Sequence, residues 1–197
     1  MGLRAEIRAQ VEATGTKIVV LDDDPTGTQT VHGVPVLTSW DTSVLAAELR
    51  SGQSLFYVLT NSRALSQEDA VALACALGAN LSQAARQTGS RLSVISRSDS
   101  TLRGHYPAET DALARALGLA PDGVLIAPYF QEGGRFTIND VHYVREGRCL
   151  VPAAETEFAR DPVFGYSRSN LRQWVEEKTG GGWRAQQALS LSLRRLM

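Results

Sequence analysis

Lysine is almost missing from this 197-residue chain: of its 20 basic residues only Lys17 and Lys178 are lysines, and the others are arginines. Genomic base composition explains such a bias as readily as chemistry does. Cysteine is equally scarce. Cys75 and Cys149 stand far apart with no CxxC pair, which excludes a disulfide framework and a thiolate metal site and points to a reducing compartment. No apolar run approaches the length of a membrane span, and the opening segment MGLRAEIRAQVEATGTK has no hydrophobic leader core, so a cytoplasmic protein is expected. The formal net charge is only -1, which removes any broad electrostatic pull toward nucleic acid or membrane. Neither a Walker pattern nor GxGxxG occurs. The three histidines, His32, His105 and His142, lack ligand spacing, so no metal site is expected and each reads as structural or surface-exposed.

What is present is ordinary globular composition, 43% hydrophobic and 21% charged, at a length suited to one domain with a sizeable core. Short apolar runs rich in β-branched residues recur: Lys17 to Leu21, Val34 to Thr38, Leu55 to Leu59, Leu92 to Ser96 and Val124 to Ala127. Runs of this kind suit strands buried on both faces of a parallel sheet. Helical patterns separate them. The first spans residues 3 to 13 and another starts near Thr42. A third follows Ser66, whose hydroxyl stands three residues before Asp69 in a capping-box arrangement. A fourth has Pro107 in its first turn. Alternation of strand and helix predicts an α/β fold, a three-layer domain with a mostly parallel sheet. After Pro128 the pattern changes to a hairpin-rich insertion near 135–151, turning at Asn139-Asp140 and Glu146-Gly147. A helix capped by Ser169 or Asn170 then runs to Lys178 and stops at Gly180 to Gly182. The stretch Ala188 to Leu193 alternates like a further strand.

Ligands of open α/β sheets bind beyond the carboxyl ends of the strands, so the segments following each run carry the chemistry. They read Asp22-Asp23-Asp24-Pro25-Thr26-Gly27, then Thr60-Asn61-Ser62-Arg63, then Arg97-Ser98-Asp99-Ser100-Thr101-Leu102-Arg103-Gly104-His105, then Pro128 to Arg135. Carboxylates, hydroxyls and arginines are thereby delivered to one edge. Three adjacent aspartates can be turn chemistry, yet they repel one another unless something cationic or donating lies among them; Asp22 reads as the structural member. Arg97 and Arg103 flank a carboxylate and three hydroxyls, a set able to fork a carboxylate and to exchange hydrogen bonds with sugar hydroxyls. Asn61-Ser62-Arg63 fits a helix entry as well as a ligand contact. Gly133-Gly134 fits either a flexible turn or a close approach of backbone to ligand.

The segments DDDPTGTQTV, LTNSRAL, SRSDSTLRGHYPAE, APYFQEGGRFT and FGYSRSNLRQWVEEKTG occur in this order over nearly the whole chain. In them it resembles the N-terminal domain of the four-carbon acid sugar kinase family. The resemblance implies phosphorylation of acids such as threonate, erythronate or 3-oxo-tetronate from ATP, with the N-terminal domain holding the acid and a glycine-rich C-terminal domain holding the nucleotide. It places Asp23, Asp24, Thr26, Arg63, Arg97, Ser98, Asp99, Ser100 and Arg103 on the sugar-binding motifs, with Gly27, Asn61, Ser62, Thr101, Gly104, Gly133 and Arg135 as further substrate contacts. Asp24 and Asp99 are the candidates for the base that takes the hydroxyl proton.

The chain stops at Met197, short of any nucleotide domain, so it reads as a truncated sugar-acid-binding half. ATP and Mg²⁺ belong to the intact kinase and are not expected to bind this chain tightly alone. A separate nucleotide-binding domain, or self-association through an unfinished sheet edge, would supply the partner. Two alternatives remain open. One is a catalytically inactive sugar-acid-binding remnant. The other is a haloacid-dehalogenase-type phosphatase, since Asp22-x-Asp24-x-Thr26 after a strand imitates that nucleophile motif. That chemistry needs a lysine at the site, however, and Lys17 precedes the first strand while Lys178 lies in a late helix.

Overall fold

A computed structural model describes residues 2–28 and 31–192, and the chain divides into two compact units. The first unit comprises residues 1–98 and 108–122. It contains α1 (Leu3–Thr14), β1 (Thr16–Asp22), β2 (Val36–Leu37), α2 (Thr42–Leu49), β3 (Leu55–Leu59), α3 (Gln67–Thr88), β4 (Arg91–Arg97) and α4 (Ala108–Ala116). The strands form one parallel sheet in the order β2-β3-β1-β4. Strand side chains alternate between faces. Val19, Leu21, Phe56, Val58, Leu92 and Val94 therefore share one face, where they pack on Leu45, Leu49, Ala74, Leu77, Leu81 and Leu113 of the α2, α3 and α4 helices. Ile18 and Leu55 belong to the opposite face and share the walls of a shallow pocket with Ile7 and Val11 of α1. Helices thus flank the sheet, as the alternating pattern predicts.

Local signals act where they were read. Ser66 accepts a hydrogen bond from the Asp69 amide and caps α3, and Gly89, at φ 68°, ends it in the left-handed conformation. Gly78 of α3 lies so close to α4 that an added Cβ would meet the Ala116 Cβ at 2.6 Å. This glycine lets the two helices approach.

The second unit comprises residues 99–107 and 123–197. It holds the antiparallel sheet β5 (Arg135–Ile138), β6 (Val141–Glu146), β7 (Cys149–Pro152) and the helix α5 (Leu171–Lys178). Asn139 and Asp140 both have positive φ, 49° and 67°, the turn chemistry of a two-residue hairpin. The Asn170 side chain caps α5 by accepting from the amides of Arg172 and Gln173. A second core gathers Leu102, Val144, Ala153, Ala159, Tyr166 and Trp174.

Two expected strands are not formed. Val124–Ala127 makes no strand, and Val124 and Leu125 are 63% and 76% exposed. An apolar run becomes a strand only where a neighbouring ladder accepts it, which composition alone cannot show. Residues 188–192 are likewise irregular, and Leu193, the end of that expected strand, lies outside the described residues. Among the described residues no helix is long and apolar enough to cross a membrane.

Candidate functional site

The register of the parallel sheet builds the first cluster. Asp22 is level with Leu59 on one side and with Arg97 on the other, so three carboxyl strand ends open at one row. Beyond that row the aspartates are each matched to a donor. Arg63 forks Asp23, with Nη2 donating to Oδ1 at 2.6 Å and Nε to Oδ2 at 3.1 Å. Its Nη1 donates to Asp24 Oδ2 at 3.1 Å, and Ser98 Oγ donates to Asp23 Oδ2 at 2.6 Å. Arg97 Nη1 donates to Asp22 Oδ1 at 3.1 Å. The repulsion among three consecutive carboxylates is thus offset by two arginines drawn from the two adjacent strand ends.

The three carboxylates differ in state. Asp22 is 1% exposed, and burial raises its pKa above the ordinary value; the charge of Arg97 and the Asp24 amide oppose the rise without cancelling it. Its Oδ2 has no hydrogen-bond partner among the described residues. Gly27 lies directly against this carboxylate, and a Cβ there would fall 1.9 Å from Oδ2. Burial also acts to raise Asp24, but hydrogen bonds from the Thr26 hydroxyl and amide, with the charges of Arg63 and Arg97, outweigh it and hold the carboxyl below its ordinary value. Asp24 and Thr26 are the accessible members of the loop; Asp23 is buried. Asn61 is exposed with a left-handed backbone at φ 53°. Ser62 is fully buried, its hydroxyl donating to Glu109 Oε1 at 2.7 Å, so this serine serves the loop's interior.

Asp99, Ser100, Thr101, Arg103, Gly104, Gly133 and Arg135 belong to the second unit and form a cluster of their own. Asp99 Oδ2 accepts from Arg103 Nε at 2.6 Å and from the Thr101 hydroxyl. These donors outweigh the effect of burial and hold Asp99 below the ordinary carboxylate range. Thr101 is 1% exposed, and Gly104 is buried. Arg103 reaches Asp161 Oδ2 at 3.6 Å with Nη1 and lies over the Phe158 ring at 5.1 Å. Arg135 lies over the same ring at 5.4 Å, and its Nη1 donates to the Gly133 carbonyl.

Two buried side chains hold the backbone of this loop. His142, with no exposed surface, contacts the Ser100 carbonyl through Nε2 at 2.7 Å and Thr137 Oγ through Nδ1 at 3.0 Å. Burial lowers its pKa, so the neutral ring donates from Nε2 and accepts at Nδ1. Tyr166 Oη donates to the Thr101 carbonyl at 2.7 Å. His142 is thus structural, as expected. His105 is buried too, edge-on to Phe164 at 4.8 Å. Sequence reasoning passed over Glu109, Phe158, Asp161 and Tyr166. Each acts across a long separation or from a segment without a recognisable motif, although Asp161 before Pro162 and Gly165 carried a turn signal.

The glycine run of residues 180–182 does not serve the nucleotide implied for the intact kinase. Among the described residues no three His, Cys, Asp or Glu side chains are grouped to hold a metal ion. The amides of Gly180, Gly181 and Gly182 donate to the carbonyls of Glu177, Glu176 and Thr179; they close α5 rather than cradle phosphate. The phosphatase reading fares no better. Asp22 is buried behind Gly27, while Lys17 Nζ is committed to the carbonyls of Ser51 and Gln53 at 2.7 and 2.6 Å, and β1 separates it from the aspartates.

The family model of the sugar-binding N-terminal domain matches residues 18–193. Among solved structures, a protein of the DUF1537 domain group from Bordetella bronchiseptica, crystallised with citrate as a domain-swapped dimer, is 28% identical with a TM-score of 0.57; the match covers 80% of this chain and 39% of that one. A DUF1537 protein of Haemophilus influenzae is 20% identical with a TM-score of 0.55, covering 81% of this chain and 38% of that one. A Salmonella typhimurium LT2 protein is 19% identical with a TM-score of 0.55, covering 83% and 38%. The last two show the fold. The chain therefore spans well under half the length of these solved relatives. No curated protein matches it. The match of the family model over most of the sequence, a span that includes the strand-end loops around Asp23 and Arg97, places this chain in the family of sugar-binding N-terminal domains.

Proposed function

We propose that this chain provides the sugar-acid-binding half of an ATP-dependent kinase for four-carbon acid sugars of the threonate, erythronate or 3-oxo-tetronate type. The observation that carries the reading is the alternation of Asp22, Asp23 and Asp24 with Arg63, Arg97 and Ser98 at three aligned strand ends. Interlocked carboxylates and guanidiniums fix one another's rotamers and leave accessible acceptors, such as Asp24 and Thr26, for sugar hydroxyls. A citrate, itself a hydroxy acid, occupies the Bordetella relative, which supports a ligand of that class. That relative's domain-swapped dimer likewise supports self-association as one way of completing the protein.

The chain's own task is to bind and orient the acid and to offer a proton acceptor. Asp24 suits the last role better than Asp99. Its side chain is 26% exposed against 12% for Asp99, which leaves it the more open to a substrate hydroxyl. The nucleotide is expected to be held away from the glycine run of residues 180–182, whose amides close α5. In the complete kinase, Asp24→Asn is expected to abolish turnover while the acid still binds; unchanged turnover would pass the role to Asp99.

The reading itself is tested by calorimetric titration with D-threonate, D-erythronate and 3-oxo-tetronate, with Mg·ATP as the control ligand. Binding of an acid but not of ATP is expected. A chain that melts cooperatively yet binds none of the acids would refute the proposal and favour an inactive remnant.

A further inference from the structure

Forking of a substrate carboxylate needs a guanidinium with donors to spare, and most of the arginines singled out by the motifs have carboxylate partners within the chain. Arg63 holds Asp23 and Asp24, Arg97 holds Asp22 through Nη1 alone, and Arg103 holds Asp99 and Asp161. Arg135 differs. Among the described residues no carboxylate lies within ion-pair distance of it, and its one hydrogen-bond acceptor there is the Gly133 carbonyl, reached through Nη1. Its Nε is buried without an acceptor. The edge formed by Nε–H and Nη2–H, the side-on fork that matches a carboxylate, is therefore unmatched.

The surroundings preserve this geometry. Phe158 underlies the guanidiniums of both Arg103 and Arg135, and its π face stabilises two cations held near each other. Gly133 leaves the room required: a Cβ there would fall 2.5 Å from the Phe130 ring and 3.3 Å from Arg135 Nη1. His142, close enough for the charge of Arg135 to lower its pKa, is neutral and offers no counter-charge. Asp99 and Asp161 are already engaged by Arg103.

We propose that Arg135, held over Phe158 beside Arg103, is the anchor for the carboxylate of a sugar acid and the group that favours acids over neutral polyols in this second unit. The inference rests on the sugar-acid reading above. The carboxylate would take Nε–H and Nη2–H together and supply the acceptor that the buried Nε lacks.

The test compares wild type, Arg135→Gln, Arg135→Lys and Phe158→Leu by calorimetry with D-erythronate and with neutral erythritol. Loss of a charge-assisted fork predicts about 10- to 100-fold weaker erythronate binding for Arg135→Gln. Arg135→Lys keeps the charge on the ring but not the fork, and should recover part of the loss while providing the fold-preserving comparison. Phe158→Leu should weaken erythronate by about 2- to 5-fold. Erythritol binding should be the same in all four proteins. Wild-type affinity for erythronate in Arg135→Gln would overturn the anchor while leaving the functional reading intact. A wild-type chain that binds no acid at all would sink the functional reading, and the anchor with it.

Discussion

Gly27 offers the sharpest test of how the aspartate loop is built. Its backbone does not require glycine, because its φ lies outside the left-handed region. The obstacle to a side chain is contact alone: a Cβ would lie 1.9, 2.1 and 2.2 Å from Oδ2, Oδ1 and Cγ of Asp22. Asp22 has little room to withdraw, being 1% exposed and tied to Arg97. Gly27→Ala should therefore overpack the loop at a cost of ~1–3 kcal/mol, against the gain of up to about 1 kcal/mol that Gly→Ala gives at a tolerant site. Asp22→Ala removes the obstacle. It also removes a buried acceptor without a partner, worth ~1–3 kcal/mol, which offsets the lost pairing with the part-exposed Arg97 and the small cavity. That variant alone should stay within about 1 kcal/mol of wild type on these two terms. The double variant Asp22→Ala/Gly27→Ala should then be less destabilised than the sum of the single variants by about 1 kcal/mol or more. Urea denaturation followed by circular dichroism measures all four corners. A Gly27→Ala protein as stable as wild type, or a cycle additive within about 0.5 kcal/mol, would refute this account of the DDDPTG motif.

Other consequences follow from the same contacts. Asp24, Asp99 and Asp161 have pKa values below the ordinary carboxylate range, so they contribute stability above that range that is lost as pH falls through their folded values. Asp22 is raised, so its contribution has the opposite sign, unfavourable at neutral pH and vanishing in acid. Urea midpoints measured from pH 7 down to pH 3 should therefore fall less steeply in Asp99→Asn than in wild type, and more steeply in Asp22→Asn; parallel curves for all three proteins would contradict the assignments. Tyr166→Phe deletes the donor to the Thr101 carbonyl without opening a cavity and should cost ~1–2 kcal/mol, read as a lowered urea midpoint at unchanged slope; no change in midpoint would show that the loop does not depend on it. Gly78→Ala should destabilise by ~1–3 kcal/mol through its clash with Ala116 despite the better helix propensity of alanine, and a gain in Tm would contradict the close approach of α3 and α4.

Sequence alone made the elements legible where the signal was local. The Ser66 cap and the Asn139-Asp140 turn stand where the sequence places them, and of the two candidates Ser169 and Asn170 it is Asn170 that caps α5. Val124–Ala127 shows the limit. Four consecutive apolar residues state a preference for burial but not whether a ladder partner exists; Val124 and Leu125 are exposed, and only Ile126 packs against the second core. The site was legible as a set of residue types and illegible as a network. Arg63 to Asp23 spans 40 positions and Arg97 to Asp22 spans 75, and no spacing rule reports such pairs. Phe158 carries no motif, yet it underlies two arginines.

The pairing also changes what the motif arginines can do. An arginine that merely faced solvent would be ready to fork a ligand, and the sequence invited that reading for Arg97 and Arg103. In the structure each is held by a carboxylate of the chain. A ligand carboxylate that took the Arg103 Nε donor would displace Asp99, 12% exposed, from its 2.6 Å contact, whereas Arg97 gives Asp22 only Nη1. That exchange costs more than it returns, because a buried carboxylate stripped of its partner loses several kcal/mol. Arg103 is therefore better suited to holding Asp99 in position, and on the sugar-acid reading proposed above the carboxylate falls to a cation of the same unit with no aspartate to displace. Arg135 meets that condition among the described residues.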